Sequence, residues 1–505
     1  MRNSMAQRQQ TPGEMGMHII ANAHGVGSCM PDYGGAAQAG RLSAQALGGR
    51  AFRERYGLKY AYAAGAMYRG IASSALVVRM GRAGMLGYFG TGGLNLAQIE
   101  AAIRTVQSQL SAGEPYGFNL LAAHDDPAME RATVDLFLNH GIRCIEAAAF
   151  TRITPALVLF RIRGLQRDRA GNIRCTHRVL GKVSRLEVAE EFMSPPPEAL
   201  VKALHREGAV SAEQAEMARE IPMSHDVCVE ADSGGHTDGG NPTILFPAMQ
   251  HLRRQLADRF DYGEPLCMGL AGGIGMPQAA AAAFAMGADF ILTGSINQCT
   301  IESGAADVVK DMLQDAGIHD MAYAPAGDMF EFGARVQVLK KGVLFPVRAN
   351  KLYALYNSYG SLDELSSATR SQLERGYFKC SLDDIWDRTV GYLRKQGRER
   401  DILIAQSNPK VRMARVFRWY FAYSTELALS GSADDVANYQ VHTGPALGAF
   451  NQWVKGTPLQ DWKGRHVDAI AIALLRATAR YLRGENDQPF PADPGKSPAI
   501  HRLGA

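Results

Sequence analysis

Two glycine-rich strand ends and one glycine-flanked histidine are where this 505-residue chain has the residue types that chemistry needs. The first segment, Ala271-Gly272-Gly273-Ile274-Gly275, precedes the alanine-rich stretch Pro277–Met286. Glycines between a strand end and a helix start let backbone N–H groups approach an anion closely, and the helix dipole adds a favourable field. The second, Thr293-Gly294-Ser295, closes the next apolar run. Two successive strand ends of this kind are where barrels hold a phosphate. A third run, Glu230–Gly240, sets His236 behind Gly234 and Gly235. The glycines leave space for a planar ligand, and a histidine there can hydrogen-bond it or donate a proton. Asp232 and Asp238 stand in the same run, but no second His or Cys lies at ligand spacing, which argues against a metal.

Weaker candidates lie upstream. Ala64-Gly65-Ala66-Met67 offers small residues that let backbone face a flat ring. Asn119 supplies both a donor and an acceptor, and Lys182 can stabilise developing negative charge. Each also fits a structural reading: a packed strand, a strand asparagine, a surface lysine. His442 and His466 are read as structural or docking residues without a chemical role.

These residues need a frame. Short apolar runs at Tyr60–Met67, Met85–Phe89, Tyr116–Ala122, Cys144–Ala149, Val179–Ser184, Asp226–Ala231, Leu266–Ala271 and Phe290–Gly294 alternate with helical-period segments. Helices are expected at Ser73–Arg82, Asn95–Leu110, Pro127–Asn139, Thr243–Arg259 and Pro277–Met286. This alternation predicts an α/β fold, a (β/α)8 TIM barrel, over residues 51–305, with a doubly wound open sheet as the alternative. Residues 187–224, with Pro195-Pro196-Pro197, predict a helical insertion after strand 5, placed as a lid beside the barrel mouth. Residues 306–484 read as a mainly helical C-terminal region. Residues 1–50 are an N-terminal segment with a short strand at His18–Ala21, and 485–505 a tail.

Bulk composition narrows the classes. Fifty-four Lys and Arg stand against 50 Asp and Glu, a net charge of +4 with no long basic run, so a nucleic-acid partner is not expected. Seven cysteines, an odd number with no CxxC, fit reduced thiols in a cytoplasmic protein. No stretch approaches the length of a membrane span. Met1–Gln10 lacks the apolar core of a secretory signal and reads as a polar tail.

Longer tracts carry a resemblance. Tyr62–Ser73 (YAAGAMYRGIAS), Gly181–Ala189 (GKVSRLEVA), Glu230–Asp238 (EADSGGHTD) and Ala271–Gln298, with Asp328–Asn350 and Tyr439–Val454, resemble the nitronate monooxygenase-like FMN barrels. They resemble most closely the PfaD-type trans-acting enoyl reductases of polyunsaturated fatty acid and trans-acyltransferase polyketide synthases. The resemblance spans roughly residues 50 to 480. It implies FMN as cofactor, NADPH as hydride source and an enoyl thioester on an acyl carrier protein as substrate. It implies that Ala66, Met67, Asn119, Gly272, Gly273, Gly294 and Ser295 hold FMN and that His236 is the active-site histidine. From the residues themselves, Gly235 is expected to border the cofactor and Lys182 to be a second catalytic group. Two other readings compete: a nitronate monooxygenase, and a non-catalytic docking or scaffold barrel, against which the glycine-rich phosphate site and His236 together argue. Against the first, Thr237-Asp238 follows His236 where many nitronate-oxidising relatives carry a basic residue.

Overall fold

The eight apolar runs are the eight strands of a closed parallel barrel. In chain order they are β1 (Tyr62–Ala64), β2 (Leu86–Phe89), β3 (Gly117–Leu121), β4 (Cys144–Ala148), β5 (Arg178–Val183), β6 (Asp226–Glu230), β7 (Cys267–Ala271) and β8 (Phe290–Thr293). The ring closes where Tyr62, Ala63 and Ala64 pair in parallel with Ile291, Leu292 and Thr293. The computed structural model describes residues 42–123 and 126–485. The expected strand at His18–Ala21, the polar tail Met1–Gln10 and the tail beyond residue 485 lie outside the described residues.

Both faces of each strand are buried, which is why the strands read as apolar runs and not as alternations. One cluster, including Ala63, Leu86, Tyr88, Leu180, Cys228 and Phe290, fills the barrel. A larger one packs strands against helices. The helices begin at capping signals legible in the sequence. Asn95 and Gln98 form a reciprocal capping box at Leu96–Gln109, and Asp126 caps Pro127–Asn139.

The short helix Arg50–Tyr56 closes the N-terminal end of the barrel. Phe52 stacks on Phe290 with ring centroids 4.0 Å apart. Tyr56 Oη donates to Asp226 Oδ2 at 2.6 Å, and Arg55 pairs with the other oxygen of that fully buried carboxylate. With this end plugged, ligand access is confined to the C-terminal strand ends.

The insertion after β5 exists, but it is not a lid. Leu186–Met193 is the ordinary crossover helix of the fifth unit. Its eight residues span about 12 Å, so the chain has already left the mouth when Pro195-Pro196-Pro197 ends it. Glu198–Arg206 and Ala212–Met217 then lie at the opposite end. There the Met223 N–H donates to the Ser194 carbonyl at 2.8 Å and the His225 N–H to Val179, at the start of β5, at 3.0 Å.

The mouth is covered instead by the C-terminal region. Strands β9 (Met321–Pro325) and β10 (Arg335–Leu339) form a small antiparallel sheet that takes in Gly235-His236 from the β6 loop. Val336 pairs with His236 and Gln337 with Gly235. Helices Phe345–Ser358, Leu382–Lys395 and Pro409–Ser430 build a core of their own around Phe330, Phe345, Phe417 and Tyr420. Helix Val467–Leu482 packs in the barrel's core, not in that one. Thr478 Oγ1 donates to the Pro277 carbonyl at 3.4 Å, and Asp468 accepts from Arg79 Nε at 2.6 Å. The barrel's outer ring is thus completed from beyond residue 305. Among the described residues no helix is long and apolar enough to cross a membrane.

Candidate active site

Three charged side chains converge inside the mouth. Lys182 projects inward from β5 and is not a surface lysine. Its Nζ lies 2.9 Å from Glu230 Oε1 on β6 and 3.6 Å from Glu146 Oε1 on β4. Glu146 is fully buried, and its Oε2 accepts the Ala66 N–H at 2.9 Å. Burial pushes the Glu146 carboxyl up, while Lys182 and the Ala66 N–H pull it back. Burial alone would lower the Lys182 ammonium, but Glu230 and Glu146 outweigh it and hold its pKa above the ordinary value. Beside this cluster Asn119 is buried, its Nδ2 donating to the Glu146 carbonyl at 3.0 Å. Met67 runs so close to β2 that a Cβ on Gly90 would sit 1.6 Å from its carbonyl oxygen.

Across the mouth, β7 and β8 end in glycine. Gly272 has φ +94° and lies tight beneath the β6 loop, where a Cβ would come within 2.8 Å of the Ala231 and Asp232 carbonyl oxygens. Gly273 and Gly294 are the opposite case, because a Cβ on either meets nothing within 4 Å. They line open space at adjacent strand ends. Ser295 Oγ accepts the Gly444 N–H at 3.1 Å, so the C-terminal region forms part of this rim. Gly234 is pressed against the same group: a Cβ there would lie 2.8 Å from Ser295 Oγ and from the Gly444 nitrogen. Ser233 Oγ and Thr443 Oγ1 are buried on this side without a hydrogen-bond partner among the described residues. Open cradle, unsatisfied hydroxyls and a cation across the mouth suit a planar ring with a phosphate arm. The two candidate metal ligands are otherwise engaged, Asp232 by Thr237 Oγ1 at 2.9 Å and Asp238 by Arg185 at 3.1 Å.

His236 stands at the outer edge, half-exposed, its Nε2 2.8 Å from Asp328 Oδ1. Burial would lower its pKa, but the hydrogen bond and charge of Asp328, with Glu230 in the same sense, raise it. His442, read from the sequence as structural, faces it edge-on with ring centroids 6.3 Å apart. Burial and the neighbouring His236 charge lower His442 to about 4. One histidine is therefore biased toward imidazolium and the other held neutral. Sequence reasoning missed Glu146, Asp328 and the placement of His442, and gave Glu230 no role. Glu146 had a signal, as the single carboxylate inside the apolar run Cys144–Ala149.

A closed barrel with a plugged base, an open glycine cradle at its last two strand ends and an acid–base cluster in its mouth defines a small-molecule enzyme of the (β/α)8 class. Comparisons with known proteins narrow this. The chain is 52% identical over 446 residues to polyketide biosynthesis protein PksE of Bacillus subtilis, covering 88% of this chain and 57% of that protein. It is 42% identical over 446 residues to a polyunsaturated fatty acid synthase protein of Thraustochytrium, covering 87% and 30%. It therefore spans little more than half, or less, of these relatives' lengths. The crystal structure of the enoyl reductase domain of MlnA, from the macrolactin cluster of Bacillus amyloliquefaciens, is 44% identical. It covers 87% of this chain and 98% of that one, with a TM-score of 0.83. Residues 359–439 are similar to the inserted helical domain of acyl-carrier-protein S-malonyltransferase. The chain belongs to the PfaD-type enoyl reductase family of polyketide and polyunsaturated fatty acid synthases.

Proposed function

We propose that this chain is an FMN-dependent, NADPH-consuming reductase of the α,β-double bond of enoyl thioesters on acyl carrier protein, acting in polyketide or polyunsaturated fatty acid biosynthesis. The observation that carries this reading is the pairing of the open Gly273/Gly294 cradle with the Lys182 cation and His236 around one mouth. The similarity to the MlnA enoyl reductase domain supports it. Gly272, Gly273, Gly294 and Ser295 would hold the phosphate, and Ala66, Met67, Asn119 and Gly235 would border the ring. Bound FMN supplies the hydride acceptor and donor that no amino-acid side chain provides.

The chain's own residues supply the rest. Lys182, kept cationic by Glu230 and Glu146, offsets negative charge that builds up inside the barrel. His236, whose pKa Asp328 raises against burial, stands at the rim to hydrogen-bond the thioester oxygen or to give a proton to the α-carbon. The β9–β10 sheet and the Tyr439–Gly444 segment border the mouth, through the Val336–His236 pair and the Gly444–Ser295 hydrogen bond.

The test is to incubate the purified chain with a crotonyl-loaded carrier protein and NADPH, and to weigh the acyl product. A gain of two hydrogens is expected. No mass change, with oxygen consumed on a nitroalkane and no nicotinamide used, rejects this reading for the nitronate monooxygenase one. A second prediction tests the cradle. Gly294→Ala adds a methyl group into open space, so the thermal midpoint without flavin is expected to stay at the wild-type value while FMN retention on gel filtration falls. Full flavin retention would move the phosphate elsewhere.

A further inference from the structure

The chain's net charge is only +4, yet its positive charge is unevenly placed. From Arg388 to Arg418 nine Lys and Arg residues stand against two acids, Glu399 and Asp401. Part of that surplus is structural: Arg412 pairs with Asp383 and lies over the Trp386 ring. Part of it is not. Arg394, Lys395 and Arg400 flank the turn between helices Leu382–Lys395 and Glu399–Ser407, at the end of one and the start of the other, exposed and without an ion pair among the described residues. Two large apolar side chains beside them face solvent, Tyr392 at 61% and Leu403 at 66% exposure. A cationic turn carrying unburied apolar groups has the composition of a binding surface, not of an ordinary solvated face.

This turn is wired to the mouth. Arg398 pairs with Asp401 at 2.5 Å, and Arg415 lies 3.8 Å from the same carboxylate. One helical turn on, Arg418 pairs with Glu331 at 3.3 Å, three residues from the Asp328 that holds His236. Near the far end of the same helix, Pro409–Ser430, Glu426 pairs with Arg69 on the loop after β1. Tyr68, next to Arg69, has its phenol pKa raised by burial, with both Asp328 and Tyr392 acting in the same sense. A chain of ion pairs along one helix thus links the cationic turn to the active-site rim.

We infer that the turn around Arg394, Lys395 and Arg400 docks the carrier protein. Its partner is a carrier-protein domain that presents an acidic helix next to its prosthetic arm. The acidic helix meets the three cations, Tyr392 and Leu403 cover its apolar edge, and the arm runs along helix Pro409–Ser430 to His236. The turn lies within residues 359–439, the stretch similar to a helical domain of an acyl-carrier-protein transferase. The inference rests on the proposed carrier-bound substrate.

The test separates the two. Binding of a fluorescently labelled, crotonyl-loaded acyl carrier protein is measured by anisotropy at low and high salt. The chain is compared with its triple variant Arg394→Glu/Lys395→Glu/Arg400→Glu. Reduction of crotonyl N-acetylcysteamine, a thioester without any protein, is measured in parallel. The variant is expected to bind the carrier protein at least about tenfold more weakly at low salt, with small-thioester turnover at the wild-type level. The neutral pair Lys395→Ala/Arg400→Ala should show a smaller loss in the same direction. Equal affinity in wild type and variants, or adsorption of the turn to phosphatidylglycerol vesicles in place of the carrier protein, overturns the docking surface. Charge-dependent carrier binding without reduction of either thioester leaves the surface standing and rejects the enoyl reductase reading.

Discussion

Replacing Lys182 by methionine is expected to destabilise the folded chain by about 3–5 kcal/mol at neutral pH, because the change leaves buried carboxylates without their cation. Glu146 is fully buried and 3.6 Å from the ammonium, and Glu230 lies 2.9 Å from it on the next strand. One oxygen of Glu146 is held by the Ala66 N–H, which cannot neutralise it, and the other has no hydrogen-bond partner among the described residues. The sign of the pH dependence follows. Glu146 already binds its proton more tightly in the fold than an ordinary carboxyl, through burial. Without Lys182 that upward shift grows. A carboxyl raised by folding favours the native state below its unfolded pKa, and this contribution is lost as pH rises toward the folded value. The deficit of Lys182→Met should therefore be largest at neutral pH and shrink in acid. Urea midpoints at two pH values measure it. Lys182→Met/Glu146→Gln should recover part of the loss, since it removes the stranded charge. A single variant as stable as the wild type at both pH values would mean that the cluster is not buried in solution.

The legible and illegible parts of this molecule divide by the range of the interactions. All eight barrel strands could be read, because a strand buried on both faces is a short apolar run, and helices between the strands start at capping residues such as Asn95 and Asp126. The glycines at 272, 273 and 294 could be read for the same local reason. The insertion after β5 could be counted but not placed, because its first eight residues are the obligatory crossover helix, and only the length of that helix decides at which end the rest emerges. Lys182 could be found but not aimed. A shift of one residue turns a strand side chain from inside to outside, and only the pairing of Lys182 with Cys228 across β5 and β6 fixes it. Asp328 had no local signal. It reaches His236 because β10, about a hundred residues downstream, pairs with Gly235-His236 and brings the loop before it to the mouth. His442 arrives the same way, by a bridge to Val338.

That non-local pair sets the second large effect. His236→Ala should lower turnover of an enoyl thioester by about 10²–10⁴-fold, the usual worth of one general acid, with the flavin absorbance band retained. Asp328→Asn is the more discriminating change. As the proposed proton donor, His236 would act only while protonated, so the rate is expected to fall as pH rises through its pKa. Asp328 is the main group raising that pKa, with Glu230 acting in the same sense from the barrel mouth and burial acting against both. His442 is the third ionisable group facing the ring, and near neutral pH it is uncharged, being held at about 4 by burial and by the His236 charge. An asparagine at 328 keeps an acceptor at nearly the same place but removes the negative charge. The falling limb of the pH–rate profile should therefore move to lower pH, while the plateau rate on its acid side changes little. His442→Gln should leave the limb where it is or move it slightly upward, because the neighbour that it removes can only oppose the imidazolium. A limb that stays fixed in Asp328→Asn, with activity lost uniformly across the pH range, would make Asp328 a structural tie between β10 and the barrel. It would return the proton to water or to a group deeper in the mouth.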